Sequence, residues 1–189
     1  MLSKLSKLVM GLLHKQSMNP YELAKLVDMD VVQDWFPLTA PSIYTTIKNI
    51  EKKGFIAGET VQEGKLPPKT VYTLTEEGEK QLLAELSADL SSYEAEASNF
   101  GIALFHIGSL DRGEALKQTR ERLDHVSAKL AAARERLEAC GSVIPFNLRM
   151  MLSYNVYRLE TEAKMTVKLL GEIERGTDWD TSFNRFLKK

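Results

Sequence analysis

The sequence predicts a mainly α fold with one small β-hairpin, divided into two parts. Three observations carry this. Within the first 75 residues, helical apolar spacing gives way once, after Gly54, to the alternation of a strand pair. The stretch TAPSIYTTIKNIEKKGFI, residues 39–56, sets a narrow stripe of Ile43, Ile47 and Ile50 on an otherwise polar helix. From Leu116 onward, leucine recurs every seventh residue through Leu123, Leu130 and Leu137, the period of a helix packed lengthwise on another.

Taken in order, Leu5, Leu8, Val9, Leu12 and Leu13 make the first helix face. Lys7 and His14 interrupt this opening segment and no small-residue cleavage site follows, so it reads as a folded helix, not a leader. Asn19 caps the second helix, Pro20 opens it, and Tyr21, Leu23, Ala24 and Val27 continue it. DMDVVQDWFPL reads as a loop or partial helix that Pro37 stops. The third helix has Thr39 as its cap, Pro41 in its first turn, Lys52 and Lys53 in its last, and Gly54 as its exit. FIAGETV and TVYTLT are strands, with QEGKLPPK as the hairpin tip. Three helices and then a hairpin, in about 75 residues, is the order of a winged helix-turn-helix.

The second half is built differently. Thr75 caps a helix with Glu76 and Glu77 in its first turn, and Leu82, Leu86, Leu90, Tyr93, Ala97 and Phe100 continue at near-heptad spacing. FGIALFHIGSL reads as an apolar break containing Gly101 and Gly108. The leucine repeat follows, with Thr119, Val126 and Ala133 three residues after its first three members. Gly141 and Pro145 end it. Leu148, Leu152, Val156, Leu159, Ala163, Val167, Leu170 and Ile173 line the last helix, closing an antiparallel αα-hairpin. Residues 1–80 are thus expected to form the winged domain, and 81–189 a linker helix and a helical dimerisation domain. Two amphipathic helices cannot bury both faces alone, so a second copy is expected against Leu116, Leu123, Val126, Leu130 and Leu137. The tail TDWDTSFNRFLKK, with Trp179, Phe183 and Phe186 at helical spacing, either packs back on the stalk or frays.

Composition narrows the function classes. With 43% hydrophobic and 27% charged residues the 189-residue chain is globular, and it holds no run of 18 apolar residues to span a membrane. The single Cys140 fits a reducing, cytoplasmic setting. Net charge is −1, divided as +2 over residues 1–75 and −3 over the rest, so any positive surface must be local. His14, His106 and His125 are scattered and no phosphate-cradling glycine loop occurs, which argues against an enzyme, a metal or a cofactor.

The polar face of the third helix suits nucleic acid. Tyr44, Thr45, Lys48 and Asn49 are expected against double-stranded DNA, with Ser42 facing a phosphate at the helix start. Asn49 suits adenine by its chemistry and a phosphate by its mid-helix place. Tyr44 is either a DNA contact or a ring half-buried beside the isoleucines. Lys65 and Lys69 flank the wing tip, as phosphate or minor-groove contacts or as solvated side chains. Ile43, Ile47, Ile50, Leu23, Phe55 and Leu74 are core candidates, and Glu51 is expected to pair with Lys48 and Lys52.

Residues 5–80 resemble the PadR family of transcriptional regulators. LSKLVMGLL, PYELAKLV, SIYTTIKNIEKKGFI and GKLPPKTVYTLTEEGEKQL carry the resemblance. So do the Ser42-Ile43-Tyr44 start and Lys53-Gly54-Phe55-Ile56 end of the third helix, and the wing closing in Tyr72-Thr73-Leu74-Thr75 before Glu76-Glu77-Gly78. One departure is Pro20, where many members have Gly before the tyrosine of the second helix. The resemblance implies a DNA-binding repressor, a C-terminal helical dimerisation region, and release from DNA by a phenolic or hydrophobic small molecule. Trp35, Phe36, Tyr93, Phe100, Phe105 and His106 offer either a ligand pocket or a small core joining the halves. The rival expectation is a winged-helix and coiled-coil scaffold for protein contact that does not read DNA sequence.

Overall fold

Side chains that answer orphan backbone N–H groups fix most of the helix starts. The computed structural model describes residues 1–33, 40–62, 67–93, 98–141 and 144–176. Helix α1, Lys4–Leu13, begins at Ser3, whose hydroxyl accepts from the Ser6 N–H at 3.0 Å. Helix α2, Pro20–Val27, begins at Asn19, whose Oδ1 accepts from the N–H groups of Tyr21 and Glu22, both at 3.0 Å. The Glu22 carboxylate accepts in turn from the Asn19 N–H at 2.8 Å, completing a capping box. The segment read as loop or partial helix forms a single turn, α3, Asp30–Gln33. Helix α4 spans Ala40–Lys52; its expected cap Thr39, with Trp35, Phe36 and Pro37, lies outside the described residues.

Gly54 ends α4 at φ +75°, where a side chain would be strained. Strand β1, Ile56–Val61, pairs antiparallel with β2, Lys69–Leu74, in a register running from Ile56 opposite Leu74 to Val61 opposite Lys69. Met18 adds a short third rung, exchanging backbone hydrogen bonds of 3.1 and 2.9 Å with Tyr72. Thr75 ties the wing to the next helix: its hydroxyl donates to the Gly54 carbonyl at 2.7 Å and accepts from the Gly78 N–H at 3.0 Å. Helix α5, Glu76–Ser91, follows. One core joins these elements, with Val9, Met10, Leu23, Val27, Ile43, Ile47, Ile50, Ile56 and Leu82 buried and Phe55 and Leu74 packed against them. At its rim the Glu85 carboxylate accepts from the Leu2 N–H at 2.8 Å. Desolvation pushes the Glu85 carboxyl up, but hydrogen bonds from Leu2 and Gln81, the terminal ammonium and Lys7 together hold it below the ordinary carboxylate range.

The chain divides into two compact units, Met1–Ala95 and Glu96–Lys189. The division falls beyond residue 80, because α5 packs on α1 and so lies with the winged unit. The near-heptad stripe expected to run from Leu82 to Phe100 does not form one helix. Leu82 is buried, while Leu90 is 91% exposed and Tyr93 93%. The hydroxyls of Ser91 and Ser92 turn back onto the carbonyls of Ala88 and Asp89, at 3.0 and 3.2 Å, and Ser92 is extended. Such local bonds compete with the helical ladder.

In the second unit, the segment read as a break is instead helix α6, Asn99–Phe105, capped by Ser98 and followed by a 3-10 turn, Ile107–Ser109. Helix α7, Arg112–Cys140, and α8, Phe146–Arg175, form the expected hairpin. The Arg112 guanidinium donates to the carbonyls of Ile173, at 2.9 and 2.6 Å, and Glu174, at 3.0 Å, so the start of α7 caps the end of α8. Pairs of Arg122 with Glu162 and Arg134 with Glu160 cross between the helices. Within the hairpin the heptad stripe divides into two layers. Ala115, Thr119, Val126 and Ala133 are its deep positions, while Leu116, Leu123, Leu130 and Leu137 lie half-buried. Small residues take the deep layer because they let two helix backbones approach. The leucines then pack from the flank, as Leu130 and Leu137 do against Ala133, Val156 and Leu159. The tail with Trp179, Phe183 and Phe186 lies outside the described residues.

Candidate nucleic-acid interface

At about 100° per residue, Ile43, Ile47 and Ile50 fall within a narrow arc, and all three are buried on the core side of α4. Thr46, which the sequence sets outside the isoleucine stripe on the otherwise polar helix, falls beside that arc and is buried as well. The opposite arc carries Tyr44, Thr45, Lys48, Asn49 and Lys52, all exposed. Tyr44 is 46% exposed, which takes it out of the core. The Thr45 hydroxyl donates to the Pro41 carbonyl at 3.2 Å, so its proton is used locally and its lone pairs remain on the surface. Ser42 is half-buried at the start of the helix. The face therefore presents a phenol, a hydroxyl, an ammonium and an amide in successive turns, groups that hydrogen-bond phosphate oxygens and base edges.

The wing is only partly in view. Lys69 is half-buried at the first position of β2, opposite Val61, and Lys65 lies outside the described residues. Behind the wing, Tyr72 donates to the Glu51 carboxylate at 3.5 Å. Glu51, read as a partner for Lys48 and Lys52, thus tethers α4 to β2. Burial, then the charge of Glu51 and its hydrogen bond, raise the Tyr72 hydroxyl above the ordinary tyrosine value.

In the winged unit the sequence reading misplaced one exposed aromatic. Tyr21, placed there on the stripe of α2, is 72% exposed. The helical period contains the signal, since Tyr21 stands roughly 160° from Leu23 around the axis.

Of the dimerisation candidates, Val126 is already buried within the chain, and Leu116, Leu123, Leu130 and Leu137 each keep part of their surface in solvent. Helix α8 adds Phe146, Met150, Tyr154 and Tyr157, which are exposed and spaced to share one face. Of the aromatic residues suggested for a ligand site, Trp35 and Phe36 are not described, Tyr93 and Phe105 are exposed, and Phe100 lines a crevice in the second unit. Among the described residues no helix is long and apolar enough to cross a membrane, and no group of His, Cys, Asp and Glu is placed to hold a metal ion.

Comparison with known proteins agrees with this architecture. The sequence profile described as "Transcriptional regulator PadR-like family" matches residues 9–84. Over 142 residues the chain is 27% identical to the negative transcriptional regulator PadR of Bacillus subtilis (strain 168), covering 74% of this chain and 78% of that protein. Its fold is similar to that of Bacillus subtilis PadR in complex with operator DNA, with a TM-score of 0.77, 24% identity, and 90% and 99% of the two chains covered. The structure of the same protein with p-coumaric acid gives a TM-score of 0.75 at 23% identity, covering 90% and 98%.

Proposed function

We propose that this chain, whose residues 9–84 match the PadR-like family of transcriptional regulators, is a regulator of that kind: an operator-binding homodimeric repressor released from DNA by a small molecule. The observation that carries the reading is the division of α4, with three buried isoleucines on one side and Tyr44, Thr45, Lys48 and Asn49 in solvent on the other. Repression and a small-molecule effector are supported by the related negative regulator and by the like-folded protein captured with operator DNA and with p-coumaric acid.

In this reading α4 enters the major groove. Asn49 and Lys48 meet base edges or phosphates, Tyr44, Thr45 and Ser42 meet the backbone, and Lys65 and Lys69 of the wing reach the flanking phosphates. Two such helices, paired by the second units, fit successive major grooves about 34 Å apart, so the operator is near-palindromic. The pairing uses the solvent sides of Leu116, Leu123, Leu130 and Leu137 and the outward face of α8, side chains a lone chain leaves in water. Such a protein works beside the chromosome, in the cytoplasm. With a net charge of −1, its non-specific affinity is modest and its salt slope shallow.

Titration of the protein against labelled duplex from around its own gene, at two salt concentrations, tests the reading. Saturable, sequence-selective, salt-sensitive binding is expected. Equal affinity for every duplex, or none, turns the assignment toward a protein-contact scaffold. Sedimentation should show a dimer that Leu123→Asp dissociates; a lone protomer removes the two-fold operator.

A further inference from the structure

We propose that Gly58, Tyr72 and Glu51 are positioning residues for the wing: they set its angle against α4, and through that angle its reach to the phosphates beside the groove. This rests on the reading of α4 and the wing as the operator-binding surface. A two-stranded ribbon twists easily and is marginal when alone, so groups outside the hairpin must fix its direction. Its base is held where Thr75 meets Gly54. Farther out, among the described residues, the backbone is held at one rung, where Tyr72 exchanges hydrogen bonds of 2.9 and 3.1 Å with Met18. The N–H and carbonyl of a strand residue point to the same side. Towards β1, therefore, Tyr72 and its partner Gly58 form a non-hydrogen-bonded pair, the kind in which facing residues stand closest. A single rung acts as a hinge, and side chains have to stop the rotation.

Tyr72 does so by crossing its partner strand. Its ring passes over Gly58, and its hydroxyl donates at 3.5 Å to the carboxylate of Glu51 in the last turn of α4. A Cβ at position 58 would stand 2.8 Å from the Tyr72 ring and 3.2 Å from a Glu51 carboxylate oxygen. The crossing therefore exists because that position has no side chain. Nothing else asks for glycine there: Gly58 is exposed, and it is not among the glycines of positive φ. Glycine within a strand weakens it and marks a close approach, and here the approach is that of the tyrosine on its way to α4. The lever is long enough to matter. Lys69 stands three residues from Tyr72 along β2, about 10 Å away. A rotation of roughly 20° at the joint carries it about 3.5 Å, more than the length of a hydrogen bond.

The test titrates the full chain against operator duplex over a series of salt concentrations. Tyr72→Phe keeps the ring and loses the donor. Its affinity at low salt should fall about tenfold, and the slope of log K against log salt should fall by about one for each phosphate the wing releases. A merely structural loss would lower the amount of folded protein and leave that slope unchanged. Gly58→Ala, which displaces the ring, should reproduce the smaller slope. Glu51→Gln and Glu51→Ala both remove the carboxylate charge from beside the DNA, so their difference isolates the acceptor. The glutamine variant should keep a steeper slope than the alanine variant, because its amide oxygen still accepts from the phenol. The free protein offers a readout without DNA. Residual dipolar couplings of the β1 and β2 amides should share one alignment with those of α4 in the parent, and depart from it in Tyr72→Phe. An unchanged salt slope in Tyr72→Phe, equal slopes for the two Glu51 variants, or couplings that Tyr72→Phe leaves unmoved overturns the joint. A parent protein that binds no duplex defeats the proposed function instead, and the couplings still decide whether the joint holds the wing.

Discussion

Helices α4 and α7 both carry a regular apolar stripe, but they use it in opposite ways. In α4 the stripe is short, and every member lies at the bottom of the core. In α7 the stripe is long, and the conspicuous leucines stay half-buried while threonine, valine and alanine take the deep layer. The difference is one of surroundings. Helix α4 packs on α1, α2 and β1, so its buried side meets a core on several fronts and its other side meets only water. Helix α7 packs along most of its length on one helix, α8, with α6 meeting only its first turns, and close approach of two backbones favours small residues at the line of contact. A large residue at a helical period thus marks the core where the cover is broad, and the flank where the cover is one rod.

Truncation should separate the two helices by energy. Ile47→Ala empties a site that is 2% exposed and should destabilise the winged unit by about 4 kcal/mol, since its neighbours are fixed by other elements and cannot collapse into the hole. Leu123→Ala removes a half-buried side chain and should lower stability by only about 1 kcal/mol in dilute protein. Chemical denaturation of both variants checks this. If the leucine flank is covered by a second copy, the loss at Leu123 should grow with protein concentration while that at Ile47 stays fixed. Equal losses at every concentration would remove the distinction between core and flank.

Gly78 is the sharper probe of how the winged unit is closed. A Cβ placed there would stand 2.0 Å from the Phe55 carbonyl oxygen, a backbone atom that cannot swing aside. Gly78→Ala should therefore cost about 2 kcal/mol, against a gain of several tenths or more for the same exchange at an unobstructed helical site. Gly11, in α1, has nothing within 4 Å of its would-be Cβ, and Gly11→Ala should stabilise the same unit. Melting of the pair tells steric crowding from helix propensity, because propensity alone moves both in one direction.

The parts visible in the sequence were those with local chemistry. Asn19 with Pro20, Thr75 with its two glutamates, and Gly54 each announce an element boundary through backbone groups a few residues away, and the structure places all three as read. The third-helix face was visible for the same reason, because three isoleucines define the inside and leave Tyr44, Thr45, Lys48 and Asn49 outside. Thr46 misled because a β-branched hydroxyl residue can lie on either side of the edge. The break after Ser91 was hidden by a continuing apolar period, since the sequence shows the leucines but not that Leu90 and Tyr93 stay exposed. The crevice that Phe100 lines could not be read at all. Its lining comes from positions 100 to 169, brought together only when α6 meets the hairpin.

The smallest expected change in stability tests the function most directly. Tyr44 and Asn49 lie on the solvent arc of α4, and no core residue depends on either. Tyr44→Ala and Asn49→Ala should each leave stability within about 0.5 kcal/mol of the parent. Against operator duplex the outcomes should differ from each other. Loss of Asn49 should cost about tenfold or more if its amide reads adenine, and the loss should disappear on a duplex changed at that base pair. Loss of Tyr44 should weaken every duplex by a similar factor, as a backbone contact does. Anisotropy titrations on two duplexes separate these roles. A large fall in melting temperature for either variant would return its side chain to the core, and with it the claim that α4 has one buried arc and one free.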